Sequence, residues 1–367
     1  MKTKYSMVKD YIMSKIQDGT YQPNQKIESE SELMEQFGVS RHTVRLAIGD
    51  LVTEGWLYRI QGSGTFCADR NEINSKKTNN QHKSIAIVTT YISDYIFPSI
   101  IRGAESWLSE NGYQVSIFST NNDHKNEQRI LKKILTQSFD GVIVEPTKSA
   151  CSNPNIIYYL ELERLGIPYL MINAYYEELE PVRIIMDDEK GGFLQTEHLI
   201  NLGHKKIVGC FKTDDTQGIK RMKGFLKAHR QYQIPIEPGN IITYETENKN
   251  KKPVEELEAL LTSKYSSFTA IVCYNDELAM EILDVIRMLG LNVPDDLSIV
   301  GFDDSLFAEL TEVKLTSIVH PKSKLGAKAA ETILELIEDK TADQEEKSIV
   351  FTPELIIRNS TKKLIGG

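Results

Sequence analysis

The sequence predicts a two-part α/β protein: a winged helix-turn-helix over residues 1–69, a linker at 70–83, and a larger two-lobed domain over 84–367 built on parallel sheets. Three observations carry that prediction. Two short amphipathic helices meet across a tight turn and run into a glycine-tipped hairpin. A segment rich in Asn and Lys with almost no apolar residues follows. From Ser84 onward, short apolar runs alternate with helix-length amphipathic segments.

Composition fits two folded domains. The chain has 367 residues, 40% hydrophobic and 26% charged, enough to bury a core in each part. The first residues turn charged at Lys9-Asp10, which leaves no apolar signal core, and no apolar run approaches the roughly 18 residues that span a bilayer. A cytoplasmic protein is expected. Cys67, Cys151, Cys210 and Cys273 lie far apart without a CxxC pair, so they are read as small buried apolar residues, with no metal and no cofactor. Net charge is −9, yet residues 1–70 hold nine Lys and Arg against nine Asp and Glu. The surplus of acid therefore lies in the larger domain, and a neutral head with clustered Arg remains compatible with a polyanion.

In the head, Tyr5, Val8, Ile12 and Ile16 recur at helical spacing and stop before Gly19. After the turn-rich Tyr21-Gln22-Pro23-Asn24, Ser29 and Glu32 form a capping box for a second helix that runs to Phe37, with Leu33 and Phe37 inward. Gly38-Val39-Ser40 supplies a left-handed turn and a cap for a third helix over 41–54. Val44, Ala47, Ile48 and Leu51 form its buried stripe, and Arg41, His42 and Arg45 share the opposite face. Alone, that face is equally an ordinary solvated surface. The hairpin that follows, from Gly55-Trp56-Leu57 through the Gln61-Gly62-Ser63-Gly64 turn to Thr65-Phe66-Cys67, makes it a recognition helix with a wing. The tip glycines lack the Lys-Ser/Thr and the helix of a phosphate loop.

The runs Glu30-Ser31-Glu32-Leu33, Val39-Ser40-Arg41-His42-Thr43-Val44-Arg45, Gly55-Trp56-Leu57 and Gly62-Ser63-Gly64-Thr65-Phe66 resemble the GntR-type winged helix over nearly all of residues 4–68. The resemblance implies double-stranded operator DNA as partner, contacted by Ser40, Arg41, His42, Thr43 and Arg45, with Gln61 and Gly62 entering the minor groove. One departure is Glu28, where that family usually has Pro. Chemistry adds two weaker candidates: Glu30 as acceptor from cytosine and Lys4 at a phosphate.

Residues 70–83 hold one apolar residue, Ile73, and are read as a linker whose Lys76 and Lys77 touch phosphate. Seven apolar runs then mark strands: Ile85-Ala86-Ile87-Val88, Val115-Ser116-Ile117-Phe118, Val142-Ile143-Val144, Tyr169-Leu170-Met171-Ile172, Ile207-Val208-Gly209-Cys210, Ala270-Ile271-Val272-Cys273 and Ser298-Ile299-Val300-Gly301. Continuous apolar strands alternating with helices indicate parallel sheets covered on both faces, with a cleft at the strand ends between two lobes.

The segments 199–209, Arg221-Met222-Lys223-Gly224-Phe225, Cys273-Tyr274-Asn275-Asp276-Glu277, Ile299-Val300-Gly301-Phe302-Asp303-Asp304, Leu315-Thr316-Ser317-Ile318 and Glu354-Leu355-Ile356-Ile357-Arg358 resemble the sensor domain of the lac and gal repressor family, which shares its fold with periplasmic sugar-binding proteins. The fold implied is a two-lobed, periplasmic-binding-protein-like α/β domain. A GntR-type head on such a sensor, and the segment 89–103 in particular, resembles arabinose operon repressors, which implies a small sugar effector, L-arabinose first, with another pentose or small polyol as the alternative. A sugar needs carboxylates, amides and a guanidinium around its hydroxyls and an aromatic face for its C–H side. Glu145, Asn173, Arg221, Asn275 and Asp303 meet the first need, and Tyr91, Phe97, Tyr175 and Tyr244 the second. By resemblance, Arg221, Asn173, Asn275 and Asp303 match ligand-contacting positions. Asp276 and Asp304 are expected as helix caps, and His204 and His320 as satisfied polar residues. The adjacent Asp187-Asp188 are expected to point apart on a strand.

Three classes compete at this point. A regulator uses both halves, a sugar-binding protein only the second, and an α/β enzyme only the sheets, without a nucleophile constellation. The regulator is the expectation: a homodimer paired through its sensors, released from a pseudo-palindromic operator when sugar closes the cleft.

Overall fold

The computed structural model describes residues 4–53, 56–60, 63–68, 83–93, 95–263, 267–310, 312–339 and 344–364. Two compact units result, Met1–His82 and Lys83–Gly367.

In the first unit, α1 (Lys4–Gln17), α2 (Glu30–Phe37) and α3 (Arg41–Thr53) precede the antiparallel pair β1 (Leu57–Ile60) and β2 (Gly64–Cys67). The capping box forms as read: Ser29 Oγ accepts from the Glu32 N–H, and Glu32 accepts from the Ser29 N–H at 2.7 Å. Gly38 ends α2 at φ +59°, where a side chain is disfavoured. Val8, Ile12, Leu33, Val44, Ala47, Ile48 and Leu51 meet in one core with Leu57 and Cys67. The segment 24–27 adds to the outer edge of β2, with the Ile27 N–H donating to Thr65 and the Cys67 N–H to Gln25. Glu28 accepts from Lys15 Nζ at 2.9 Å and from Tyr11, so an ion pair anchors the approach to α2 where the resemblance has Pro.

The second unit has two lobes. In the first, β3 (Ser84–Thr89), β4 (Gln114–Ser119), β5 (Gly141–Val144), β6 (Tyr169–Ile172), β7 (Val182–Met186) and β13 (Ile349–Phe351) form a wholly parallel sheet in the order β13-β7-β6-β5-β3-β4. It is flanked by α4 (Phe97–Glu110), α5 (His124–Thr136), α6 (Ile156–Arg164) and the late helix α12 (Lys322–Glu338), whose Leu325, Ala329 and Ile333 pack under β3 and β5. The second lobe holds β8 (Ile207–Lys212), β9 (Ile241–Tyr244), β10 (Ala270–Cys273), β11 (Ser298–Asp303), β12 (Thr316–Val319) and β14 (Leu355–Ile356) in the order β14-β12-β11-β10-β8-β9, with β14 antiparallel. Its helices are α7 (Asp188–Asn201), α8 (Thr216–Gln231), α9 (Lys252–Thr262), α10 (Asp276–Met288) and the short α11 (Leu306–Leu310). The chain passes between lobes three times, after β7, after β12 and after β13. All seven expected strands are present. β7, β9, β12, β13 and β14 are additions that the apolar-run reading had not marked.

Several expectations need correction. Cys151 is exposed in a turn, while Cys67, Cys210 and Cys273 are buried and free. Asp187 and Asp188 are not on a strand: Asp187 caps α7 and Asp188 opens its first turn. Asn275, not Asp276, caps α10 by accepting from the Leu278 N–H. Asp276 instead accepts from the Ser305 N–H and Ser317 Oγ, both at 2.7 Å. Asp304 is paired with Arg358 at 2.7 Å rather than capping a helix. The linker reading over 70–83, Lys76 and Lys77 included, falls on residues of which all but Lys83 lie outside those described.

Candidate functional sites

On the head, the start of α3 carries the candidate face. Ser40 Oγ accepts from the Thr43 N–H, which caps the helix and leaves both residues at its tip. His42 is exposed, and Arg41 and Arg45 are each 61% exposed. Both guanidinium groups turn toward Glu30 at the start of α2: Arg45 Nε lies 3.0 Å from each carboxylate oxygen and Arg41 Nε 3.5 Å from one. Lys4 donates to the Gly38 carbonyl across the turn. Lys4, Glu30, Ser40, Arg41, His42, Thr43 and Arg45 thus gather around the α2–α3 turn. Gln61 and Gly62 of the wing tip lie outside the described residues.

The second site is a cavity of about 120 Å³ between the lobes. Helices α7 and α8 approach it closely because Gly192 and Gly224 face each other's backbone. A Cβ at Gly192 would stand 2.2 Å from the Arg221 carbonyl, and one at Gly224 2.1 Å from that of Glu189. That approach sets Arg221, on α8, against Asp188, on α7. Arg221 Nε donates to Asp188 at 2.8 Å, Nη1 to the Tyr274 carbonyl at 2.7 Å, and Nη2 lies 3.4 Å from Asp303, with the guanidinium 3.5 Å above the Phe302 ring. Only 4% of the Arg221 side chain is exposed. Three of its five N–H groups are thereby used, and the residue forms part of the cavity lining. Burial raises the Asp188 carboxyl to about 6 against the pull of Arg221.

The first lobe supplies a relay of polar groups. Glu145, at the end of β5, accepts from the Thr90 N–H at 2.9 Å and from Asn173 Nδ2 at 2.8 Å, and burial raises its pKa. Asn173 adopts φ +63° after β6 and turns its Oδ1 to His320 Nε2 at 3.2 Å. With Asn173 Nδ2 given to Glu145, Nε2 of His320 carries the proton and Nδ1 is a bare acceptor. Nδ1 is buried without a protein partner, and burial lowers the imidazole to about 4. The expectation of a satisfied histidine thus holds for His204, bonded to Thr269 and the Lys362 carbonyl, and fails for one nitrogen of His320.

Tyr91, Phe97, Glu145, Asn173, Arg221, Tyr244 and Asn275 all line the cavity. Asp303, 3% exposed at φ +92°, stands behind Arg221 rather than on the lining. Tyr175 lies away from it, beneath Arg183 and Lys220. Tyr91 and Phe97 meet edge to face at 5.8 Å. The sequence reading missed Asp188, Lys212, Asp215, Gln217 and His320, which also line the cavity. Lys212 Nζ is 3.0 Å from Asp215, whose carboxylate also accepts from Tyr274 at 2.7 Å. Among the described residues, no group of three or more His, Cys, Asp or Glu is placed to hold a metal ion, and no helix is long and apolar enough to cross a membrane.

Residues 4–67 match the bacterial regulatory proteins of the gntR family, and residues 196–361 the periplasmic binding protein-like domain. The chain is 58% identical to the arabinose metabolism transcriptional repressor of Halalkalibacterium halodurans over 364 residues, 98% of this chain and 97% of that one. The chain belongs to the arabinose metabolism transcriptional repressors. A second member, from Geobacillus stearothermophilus, is 52% identical over 98% of each chain. The chain joins a winged-helix DNA-binding head to a sensor of the LacI type. A crystal structure of a LacI family transcriptional regulator from Enterococcus faecalis with bound ribose, 25% identical, superposes with a TM-score of 0.66 over 77% of this chain and all of that one. The chain is a DNA-binding transcriptional repressor of sugar-utilisation genes.

Proposed function

We propose that the protein binds its operator as a homodimer and releases it when L-arabinose closes the cleft. One observation carries the effector reading. The cavity lining brings the Arg221 guanidinium together with the carboxylates of Asp188 and Glu145 and the amides of Asn173 and Asn275, a set that suits hydroxyls able to give and take a hydrogen bond. Tyr91, Phe97 and Tyr244 offer apolar faces to the sugar ring. Glu145, Asn173, Asn275 and the Arg221–Asp303 pair orient it, joined by Asp188 and His320. L-arabinose is assigned from the names of the two close relatives.

On the head, Arg41 and Arg45 exchange Glu30 for DNA: Arg45 takes a guanine edge through two N–H groups, Glu30 accepts from cytosine, and Lys4, Ser40, His42 and Thr43 hold the backbone. Gln61 and Gly62 reach the minor groove. The domain limits proposed are 1–69, 70–83 and 84–367. Dimer pairing is assigned to the α10–α11 face, where Met288, Leu306 and Leu310 are exposed and Leu310 borders a cavity of about 580 Å³. The protein acts in the cytoplasm and catalyses no reaction.

The deciding experiment is a gel shift on DNA from an arabinose operon with L-arabinose and other pentoses titrated in. Release by L-arabinose at the lowest concentration is expected. Release by another pentose alone reassigns the effector, and DNA binding indifferent to every sugar refutes the switch.

A further inference from the structure

Tyr95 lies on the first lobe, between β3 and α4, at φ +57°, a backbone region that aromatic residues enter rarely and keep only where surroundings impose it. Its ring packs against the first lobe's core and borders the cavity, while its hydroxyl and one face of the ring reach across to the second lobe. Its hydroxyl donates to the Phe302 carbonyl at 3.1 Å and accepts from the Asp276 N–H at 3.1 Å. Its ring stacks on Phe307 of α11, with centroids 6.1 Å apart and planes 19° from parallel.

The Asp276 N–H is the first orphan donor of α10. Asn275 caps the helix at the Leu278 N–H, so a side chain from the opposite lobe satisfies the first turn's remaining need. Phe302 is the next-to-last residue of β11 and Asp276 opens α10 just after β10, beside Asp303, which backs Arg221, and Asn275, which lines the cavity. The hydroxyl therefore touches the strand ends that present the sugar-binding groups, and both of its bonds are forfeited when the lobes part. Among the described residues, side-chain bonds also join the lobes from Asn122 to Thr246, Lys148 to Glu247 and Thr216 to Ser149, and at the same end of β11 Lys322 of α12 donates to the Asp303 and Asp304 carbonyls, while His320 meets Asn173.

We infer that Tyr95 is a positioning residue that locks the closed cleft and so sets the sugar concentration at which DNA is released. The inference rests on the reading that a sugar closes the cleft. It assigns Tyr95 no contact with the sugar through its hydroxyl, because that oxygen already donates once and accepts once within the protein. A lock of this kind acts on every ligand alike, since it changes the equilibrium between open and closed lobes rather than the fit of one hydroxyl.

The test is Tyr95→Phe in the full-length protein, titrated calorimetrically with L-arabinose, D-xylose and D-ribose, with small-angle scattering at saturating sugar. Losing two hydrogen bonds of ordinary net strength predicts about ten-fold weaker binding. The factor is expected to be the same for each sugar the wild type binds, with a larger radius of gyration in the saturated variant and an unchanged unfolding temperature without sugar. Affinity equal to wild type, or a loss confined to one sugar, overturns the lock. Wild-type protein that binds none of the sugars overturns the effector reading and the inference with it. Phe307→Leu, at a partly exposed position, removes the stack and is expected to cost about two-fold for all sugars. It decides the matter if Tyr95→Phe does not fold, and equal affinity in Phe307→Leu then counts against the lock.

Discussion

The two sites handle arginine in opposite ways. Arg41 and Arg45 are exposed and share Glu30 at the surface, where water competes for every bond. Arg221 is buried, held between Asp188 and Asp303 and laid over Phe302. An exposed pair contributes little to folding and re-partners cheaply, which suits a face proposed to exchange Glu30 for DNA. A buried guanidinium has paid its desolvation in advance and stays aimed at the cavity, so its loss reaches beyond binding to the fold itself.

The largest effect expected breaks the buried side. Arg221→Met leaves Asp188 and Asp303 without their cation and is predicted to cost about 3–5 kcal/mol of stability at pH 8, together with all measurable sugar binding. Part of that cost returns toward pH 5, because a carboxyl already raised to about 6 takes up a proton once Arg221 is gone. Chemical denaturation of the full chain at both pH values checks the size and the sign. DNA binding persists and becomes indifferent to sugar. Equal stability of variant and wild type at pH 8 contradicts the contrast between the sites.

Arg45→Ala is the matching change on the exposed side. Operator affinity is predicted to fall by about 1–3 kcal/mol, with the unfolding temperature and sugar affinity unchanged. Repeating the gel shift across salt concentrations separates roles. A guanine contact lowers affinity for the specific site most, whereas a phosphate contact such as that proposed for Lys4 lowers the salt slope by about one unit.

How much of this was legible in the sequence follows the reach of each interaction. The capping box, the Gly38 turn and the α3 stripe are local, so spacing alone located them. Strand cores announced themselves as apolar runs. β7 did not, because Arg183 interrupts it, and β13 and β14 are short edge strands whose partners lie far away in the chain. Arg221, Glu145, Asn173 and Asn275 were recognisable as strand-end or helix polar groups of the right chemistry. Asp188 was set aside as one of two adjacent acids on a strand; the signal overlooked was that Asp187-Asp188-Glu189 follows an apolar run as a helix start does. His320 was missed for a different reason. Its unpartnered nitrogen exists only because Asn173, 147 residues earlier, occupies the other one.

A smaller effect comes from that histidine. In the folded chain His320 titrates near 4, below the usual 6.5. Between those values the unfolded chain binds a proton that the folded chain refuses, so stability falls as pH drops from 6.5 toward 4, by up to about 1.4 kcal/mol per pH unit. His320→Gln keeps a polar group there but not the titration. Wild type is therefore predicted to lose stability relative to the variant across that window and to run parallel to it above pH 7. Denaturant melts at half-unit steps test this, and parallel curves throughout would remove His320 from the buried, neutral state that the sugar reading needs.

The smallest effect returns to the head. Glu28 holds Lys15 in a half-exposed ion pair, with side-chain exposures of 25% and 28%, at the position where the related winged helices usually have Pro. Such a pair is worth about 0–1 kcal/mol, and Pro at a compatible position recovers about 0.4–1 kcal/mol by restricting the unfolded chain. Glu28→Pro is accordingly predicted to shift the head's unfolding free energy by less than about 1 kcal/mol and to leave operator affinity unchanged, as read by calorimetry and gel shift on the full chain. A loss well above that would mean that the Lys15–Glu28 pair fixes the angle at which α2 meets α1. The surface of the head would then contain an ion pair behaving like the buried one around Arg221, and exposure alone would no longer separate the two sites.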